Sequence, residues 1–298
     1  FSNSISFETS GLTIYYSGSI SNIGEGAYST VFKAKPSLSS KPEYALKRML
    51  LQSDEINRIV TAELAALKTF SHPNIIQLID SKKVIENNGS VAYLLFPLMP
   101  RGSLRDVLLP TTPRDDDKLT SVLEGFLSIC EAVNVLHQYN PSYIHQDIKL
   151  ENVLVGPSGE VYLIDFGSVR RAVVEITSRK EALRIADEAA QNCTASYRPP
   201  ELYDPPTGII LDTRTDVWSL GCLLFAWWFG YSPFECEFSS NTVKVTECSP
   251  LRVLAPIPQP TSPSPGDITI IKLSEWILQK DFTVRPFTSD IIARVRGM

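Results

Sequence analysis

The residues best equipped for chemistry lie between His145 and Gly167. They read H-Q-D-I-K-L-E-N, then Val153-Leu154-Val155, a turn at Gly156-Pro157-Ser158-Gly159, the run Val161-Tyr162-Leu163-Ile164, and D-F-G. Two short strands joined by a tight turn would bring Asp147, Lys149, Asn152 and Asp165 to one end of a hairpin. Carboxylate and amide oxygens with one ammonium suit a hard divalent cation and a phosphate. An ordinary hairpin with polar ends is the bland alternative, and two multi-residue motifs in fixed order speak against it.

Other parts of the chain must position these groups. Gly24 and Gly26, in Ile23-Gly24-Glu25-Gly26, let backbone amides approach phosphate oxygens with no Cβ in the way. By itself G-x-G also fits a plain hairpin turn. Here a strand pattern at Val31–Lys35 follows, not the helix of a dinucleotide-binding fold. In Tyr44-Ala45-Leu46-Lys47, strand alternation puts Ala45 and Lys47 on one face. Alone, Lys47 would read as a solvated edge lysine. Asp54–Thr69 has apolar residues at three- and four-residue spacing, a helix whose apolar face Glu63 interrupts. A carboxylate there needs a cationic partner. The helix ends near Ser71-His72-Pro73, since the residue before proline is biased out of α, and His72 reads as structural.

Composition sets the frame. The 298 residues can bury a substantial core, and 43% hydrophobic with 20% charged residues fits a globular protein. A net charge of −5 argues against a nonspecific nucleic-acid binder. Five scattered cysteines include no C-x-x-C pair, so structural zinc is not expected and reduced thiols are. Phe1 opens no charged, apolar leader. The longest apolar run, Val217–Phe229, is about thirteen residues, too short for a span and suited to a buried helix.

The catalytic-loop order and D-F-G resemble those of the eukaryotic protein kinases. The resemblance covers about residues 17–298 and implies an α+β, bilobal protein kinase fold. A β-rich N-lobe over 1–98 (17–98 kinase-like) has one main helix, and a larger helical C-lobe takes 99–298. It implies ATP and Mg²⁺, with a protein substrate. Ile23, Gly24, Gly26, Val31 and Ala45 would enclose the nucleotide, with Phe96 as gatekeeper, Leu98 and Met99 bonding adenine and Leu154 beneath it. Lys47 would hold the phosphates and pair with Glu63. Asp147 would accept the hydroxyl proton, Lys149 would neutralise the transferring phosphoryl, and Asn152 and Asp165 would hold Mg²⁺. His145 would make a structural hydrogen bond. Thr194 with Lys149 is the serine/threonine-type pattern. Arg285 would pair with Glu201, and Asp216 would hold the catalytic-loop backbone, although as a helix-start acid it needs no such role.

Two departures stand out. Ser29 occupies the third glycine position of the phosphate loop, and Gln146 replaces the common Arg. In the family that Arg reads a phosphate on the activation segment. Ser178-Arg179-Lys180-Glu181 reads as a capping box before a run of strong helix formers. We therefore expect a helix at 178–191, and activity without activation-segment phosphorylation. A disordered loop is the alternative.

Residues 1–20 suggest an extended lead-in with one extra strand. Further expectations are a helix at Ser103–Leu109, a polar linker at Pro110–Asp117 and a helix at Leu119–Tyr139. Residues 239–267 read as a surface connection of low order, and Ile268–Leu278 and Ser289–Val295 as closing helices. The segment S-R-K-E-A-L-R-I-A-D-E-A-A-Q-N-C, then T-A-S-Y-R-P-P-E-L-Y and D-T-R-T-D-V-W-S-L-G, is similar to the numb-associated kinases, in the branch of the myristoylated and palmitoylated kinase. That branch implies a monomeric, cytoplasmic enzyme, peripheral at Golgi or other endomembranes through an N-terminal lipid not present in this chain. Such a lipid needs Met-Gly, which Phe1 does not supply, so the chain leaves open whether a lipidated segment precedes it. The other reading is an ATP-binding pseudokinase scaffold. Loss of Lys47, Glu63, Asp147, Asn152 or Asp165 would favour it, and all are present. A small-molecule phosphotransferase would not be expected to carry the Thr194–Glu201 segment.

Overall fold

The computed structural model describes residues 3–18, 21–26, 28–38, 40–86, 89–108 and 114–298. The chain divides into two compact units. One ends at Pro100 and takes in Asp165–Gly167; the other comprises Arg101–Ile164 and Ser168–Met298.

The first unit is a seven-stranded antiparallel sheet with one helix. Its elements are β1 (Asn3–Ser6), β2 (Thr13–Tyr16), β3 (Asn22–Glu25), β4 (Ser29–Lys35), β5 (Tyr44–Leu50), α1 (Asp54–Thr69), β6 (Asp80–Glu86) and β7 (Gly89–Pro97). The strand order is β1-β2-β4-β5-β7-β6, and β3 also pairs with β4. The lead-in holds two strands, not one. Ile5 on β1, Phe7 just after it, and Ile14 and Tyr16 on β2 turn inward and pack with Phe32, Leu46, Val91, Tyr93 and Leu95. On the other face Met49, Ala92 and Leu94 pack with Ile56 and Val60 of α1. With both faces covered, Val91–Phe96 of β7 is an unbroken apolar run instead of an alternating one. Ser53 caps α1, accepting from the Ile56 amide at 3.2 Å, and Phe70 ends it.

The second unit is mainly helical. It contains α2 (Leu104–Val107), α3 (Asp116–His137), β8 (Tyr143–Ile144), β9 (Val153–Val155), β10 (Val161–Leu163), β11 (Arg170–Arg171), β12 (Val174–Ile176), α4 (Arg179–Asn192), β13 (Ile209–Leu211), α5 (Arg214–Phe229), β14 (Cys236–Ser239), β15 (Thr242–Val245), α6 (Pro250–Leu254), α7 (Pro265–Ile277) and α8 (Thr288–Arg296). Its strands form two-stranded pairs: β9–β10, β8–β11, β12–β13 and β14–β15.

The helix expected at Ser103–Leu109 is the single turn α2, held by a Ser103–Asp106 capping box. Leu109 and residues 110–113 of the expected linker lie outside the described residues. α3 starts three residues before Leu119, because Asp115 caps it by accepting from the Lys118 amide at 2.9 Å. It stops at His137, short of Tyr139. By length and composition α3 could cross a membrane. Val122, Phe126, Ile129, Cys130, Val133 and Leu136 are nevertheless buried, and the helix packs on α5 and α8. The expected buried helix at Val217–Phe229 is the body of α5, every residue of which is buried from Thr215 on.

The expected helix at 178–191 is α4, Arg179–Asn192, and Ser178 and Glu181 make the capping box. Residues 239–267 are more ordered than their composition suggests. They complete the β14–β15 hairpin and form α6, and α7 starts at Pro265 instead of Ile268. Ser264 caps α7, Pro265 opens it and Asp267 closes the box. These are helix-start signals hidden in a Pro- and Ser-rich stretch. All five cysteines are free.

Candidate active site

In the first unit, register and alternation assemble one row of groups. Val31 lies opposite Gly24 on one side and Lys47 on the other, and Ala45 lies opposite Phe96. Cross-strand partners share a face, as do residues two apart. Val31, Ala45, Lys47 and Phe96 therefore lie on one side of the sheet. Ile23 is exposed on β3. The turn after β3 closes with the Gly26 amide donating to the Ser29 carbonyl at 2.8 Å.

Lys47 ends this row between two carboxylates. Its Nζ donates to Glu63 Oε1 at 2.7 Å and to Asp165 Oδ1 at 3.1 Å. The Glu63 side chain is 2% exposed and that of Asp165 46%. Burial alone would push the lysine pKa down. The Glu63 and Asp165 carboxylates overcome it and hold the ammonium above the ordinary lysine value. The cation is thus permanent at neutral pH, and the carboxylate interrupting the apolar face of α1 has the partner its burial demands. Asp165 adopts a left-handed backbone, φ 62°.

The Leu98 amide donates to the Glu43 carbonyl at 2.9 Å and is engaged within the sheet unit.

In the second unit four side chains interlock. Asp147 Oδ1 accepts from Thr194 Oγ1 at 2.8 Å and from the Thr194 amide at 3.2 Å. Asp147 Oδ2 lies 2.7 Å from Lys149 Nζ. Lys149 also donates to Thr194 Oγ1 at 2.8 Å. Asn152 Nδ2 donates to the Asp147 carbonyl at 2.7 Å and to Oδ2 at 3.0 Å. Asn152 directs its amide nitrogen inward, which leaves the amide oxygen as its other polar atom. An amide oxygen is a donor type that Mg²⁺ accepts, as is, in the first unit, the Asp165 carboxylate, 46% exposed. Leu154 lies on β9, bridged to Ser103. Burial pushes the Cys193 thiol up to about 12, so the cysteine beside Thr194 is no thiolate nucleophile.

The loop carrying Asp147 is held from below. Asp216, at the start of α5, accepts from the His145 amide at 2.7 Å and the Gln146 amide at 2.8 Å. These amides come from a strained turn, since Gln146 has φ 73°. His145 Nε2 meets the Ile164 carbonyl at 2.9 Å, the expected structural bond. His72 is structural too: its Nδ1 accepts from the Asn74 amide at 3.1 Å. Glu201 and Arg285 form a two-pronged pair at 2.7 and 3.0 Å, wholly buried.

One supporting residue escapes sequence reasoning. His137, the last residue of α3, joins Asp216 Oδ2 at 3.1 Å to Thr288 Oγ1 at 2.8 Å. The only signal was a histidine at the end of an apolar helix.

A permanent lysine–carboxylate cluster, a restrained aspartate and a loop of glycines are the equipment of phosphoryl transfer, which needs positioning and charge neutralisation more than covalent chemistry. Comparison with known proteins agrees: residues 18–294 match the protein kinase domain. Serine/threonine-protein kinase 16 of Homo sapiens is 35% identical over 74% of this chain and 72% of its own length. The same kinase of Rattus norvegicus is 34% identical over the same shares. A probable serine/threonine-protein kinase of Dictyostelium discoideum is 32% identical over 81% of this chain and 82% of its own. The chain belongs to the protein kinase family. It is a serine/threonine protein kinase, with ATP and Mg²⁺ as the family's cofactors and proteins as its substrates.

Proposed function

We propose that this kinase works without a phosphate on its activation segment, with the site residues in the following roles. The observation that carries the reading is the ordered segment itself. α4 is capped at Ser178 and anchored by Ala182, Ile185 and Ala189 against Ile176, Leu202 and Leu211, while the loop residue before Asp147 is the uncharged Gln146. Lys47 binds the α- and β-phosphates and Glu63 aims it. Asp147 accepts the proton of the substrate hydroxyl, and Thr194 fixes its orientation. Lys149 offsets charge that builds on the transferring group. Mg²⁺, held by Asn152 and Asp165, would supply charge neutralisation along the phosphates. By family resemblance Ile23, Gly24, Gly26, Val31, Ala45, Phe96, Leu98, Met99 and Leu154 would enclose the nucleotide.

The test is transfer of labelled γ-phosphate to a generic protein substrate, with Asp165→Ala as control. Phosphatase-treated enzyme is expected to keep its activity. Loss of that activity would sink the phosphate-independent reading, and transfer no higher than the control would sink the assigned roles.

Similarity to the numb-associated kinases, and within them to the lipid-modified branch, supports a cellular reading as well. We assign the enzyme to that branch as a cytoplasmic monomer that binds no nucleic acid and serves membrane or secretory traffic. It would sit at Golgi or other endomembranes through a lipidated segment outside this chain. Microscopy of the full-length protein should show it on endomembranes; diffuse cytosolic signal would count against this.

A further inference from the structure

Arg170 occupies a telling position. It opens β11, where its Cα pairs with that of Ile144 in β8, immediately before the His145–Asn152 loop. Its side chain is only 23% exposed, and among the described residues its Nε has no hydrogen-bond partner. The carboxylate facing it is Glu188 of α4, with Nη1 and Oε2 3.8 Å apart. Glu188 also accepts from Arg184, one turn earlier on the same helix.

Electrostatics gives this arrangement its meaning. Burial pushes the Arg170 pKa below the ordinary arginine value; Glu188 is the largest opposing influence, and the Arg184 cation adds to the depression. A guanidinium so enclosed is costly unless an anion accompanies it. At 3.8 Å the contact acts through charge, being too long for a well-formed hydrogen bond. The carboxylate is also built into the fold. Glu188 precedes the buried Ala189, and α4 is fixed by its capping box and its apolar face, neither of which involves a phosphate. Gln146 adds no second cation, and its buried Nε2 has no partner among the described residues.

We propose that Glu188 is a positioning residue for phosphoryl transfer, a built-in carboxylate that neutralises Arg170 and so holds β11 against β8 and the Asp147 loop. The proposal rests on the phosphate-independent reading above and gives it a residue. The path is short. Arg170 pairs with Ile144, the next two amides bond Asp216, and Asp147 follows.

A double-mutant cycle tests it: Glu188→Gln, Arg170→Gln, the pair together, and the charge-swapped pair Glu188→Arg with Arg170→Glu. Glu188→Gln keeps shape and hydrogen-bonding capacity, so a purely structural role would survive it. We expect kcat to fall about ten- to a hundredfold, as a displaced catalytic group does, with KM for ATP little changed. The neutral pair and the swapped pair should recover part of the loss, because neither leaves a buried charge alone. Wild-type kcat in Glu188→Gln, or losses that simply add, would overturn the proposal. If Glu188→Gln does not fold, the same cycle read as denaturant stability decides, with coupling in favour and additivity against. Phosphatase-treated wild type is the reference. Its inactivity would remove the phosphate-independent reading, whereas an active reference with an additive cycle removes only the role of Glu188.

Discussion

Lys47→Met is expected to lower kcat/KM for phosphoryl transfer on the order of 10²–10³-fold, the usual loss when one preorganised electrostatic group is deleted. The side chain has two jobs, and the experiment separates them. One is structural: Lys47 is the cation bonded to Glu63, whose side chain is 2% exposed. Removing it strands a buried carboxylate, a change that typically costs about 3–5 kcal/mol. Glu63→Gln in the same chain removes that charge, so the double variant should regain most of the lost stability. The other job is chemical and cannot be regained that way, because no ammonium remains for the phosphates. The expected pattern is a stable double variant that is still inactive. A Lys47→Met enzyme within tenfold of wild-type kcat/KM would show that the cluster with Asp165 has no part in transfer. Activity restored in the double variant would show that Lys47 acts only through the fold.

The behaviour of this cluster illustrates what a sequence can and cannot reveal. Glu63 was conspicuous because a carboxylate on an apolar stripe demands a cation, and Lys47 supplies it at 2.7 Å. The Asp147 loop was readable because its groups sit a few residues apart, within reach of local rules. α4 was readable for the same reason: its cap, its formers and its end lie within one turn-by-turn pattern. Long-range pairing was not. His137 meets partners 79 and 151 residues away, and nothing near it announces either. The Leu98 amide is taken by Glu43 because β5 runs beside β7, which local composition does not encode. The second N-terminal strand hides among serines because its evidence is the sheet face it covers. Pro and Ser at 264–265 read as disorder by composition and as a helix start by position. Position decided.

A comparable loss of stability is expected from Arg285→Met. The guanidinium bonds both oxygens of Glu201, donates from Nε to the Gln279 carbonyl at 3.0 Å and from Nη1 to the Arg214 carbonyl at 2.8 Å, and stacks 5.0 Å from the Trp218 ring. The two side chains are 0% and 4% exposed. Breaking such a pair from one side typically costs about 3–5 kcal/mol, because the remaining charge has no partner and no water. Replacing both sides by apolar groups of similar volume is often nearly neutral, so Arg285→Met with Glu201→Leu should recover much of the loss. Recovery should stop short of completeness, since the Gln279 and Arg214 carbonyls lose donors that methionine cannot replace. Activity should not follow stability. Glu201 lies seven residues past Thr194, and without its anchor the segment that holds Thr194 against Asp147 is freed. The double variant should therefore unfold near the wild-type denaturant midpoint yet transfer phosphate more slowly. A single Arg285→Met variant within about 1 kcal/mol of wild type would mean that the buried pair contributes no more than a surface one does. Full activity in the stable double variant would separate this anchor from catalysis.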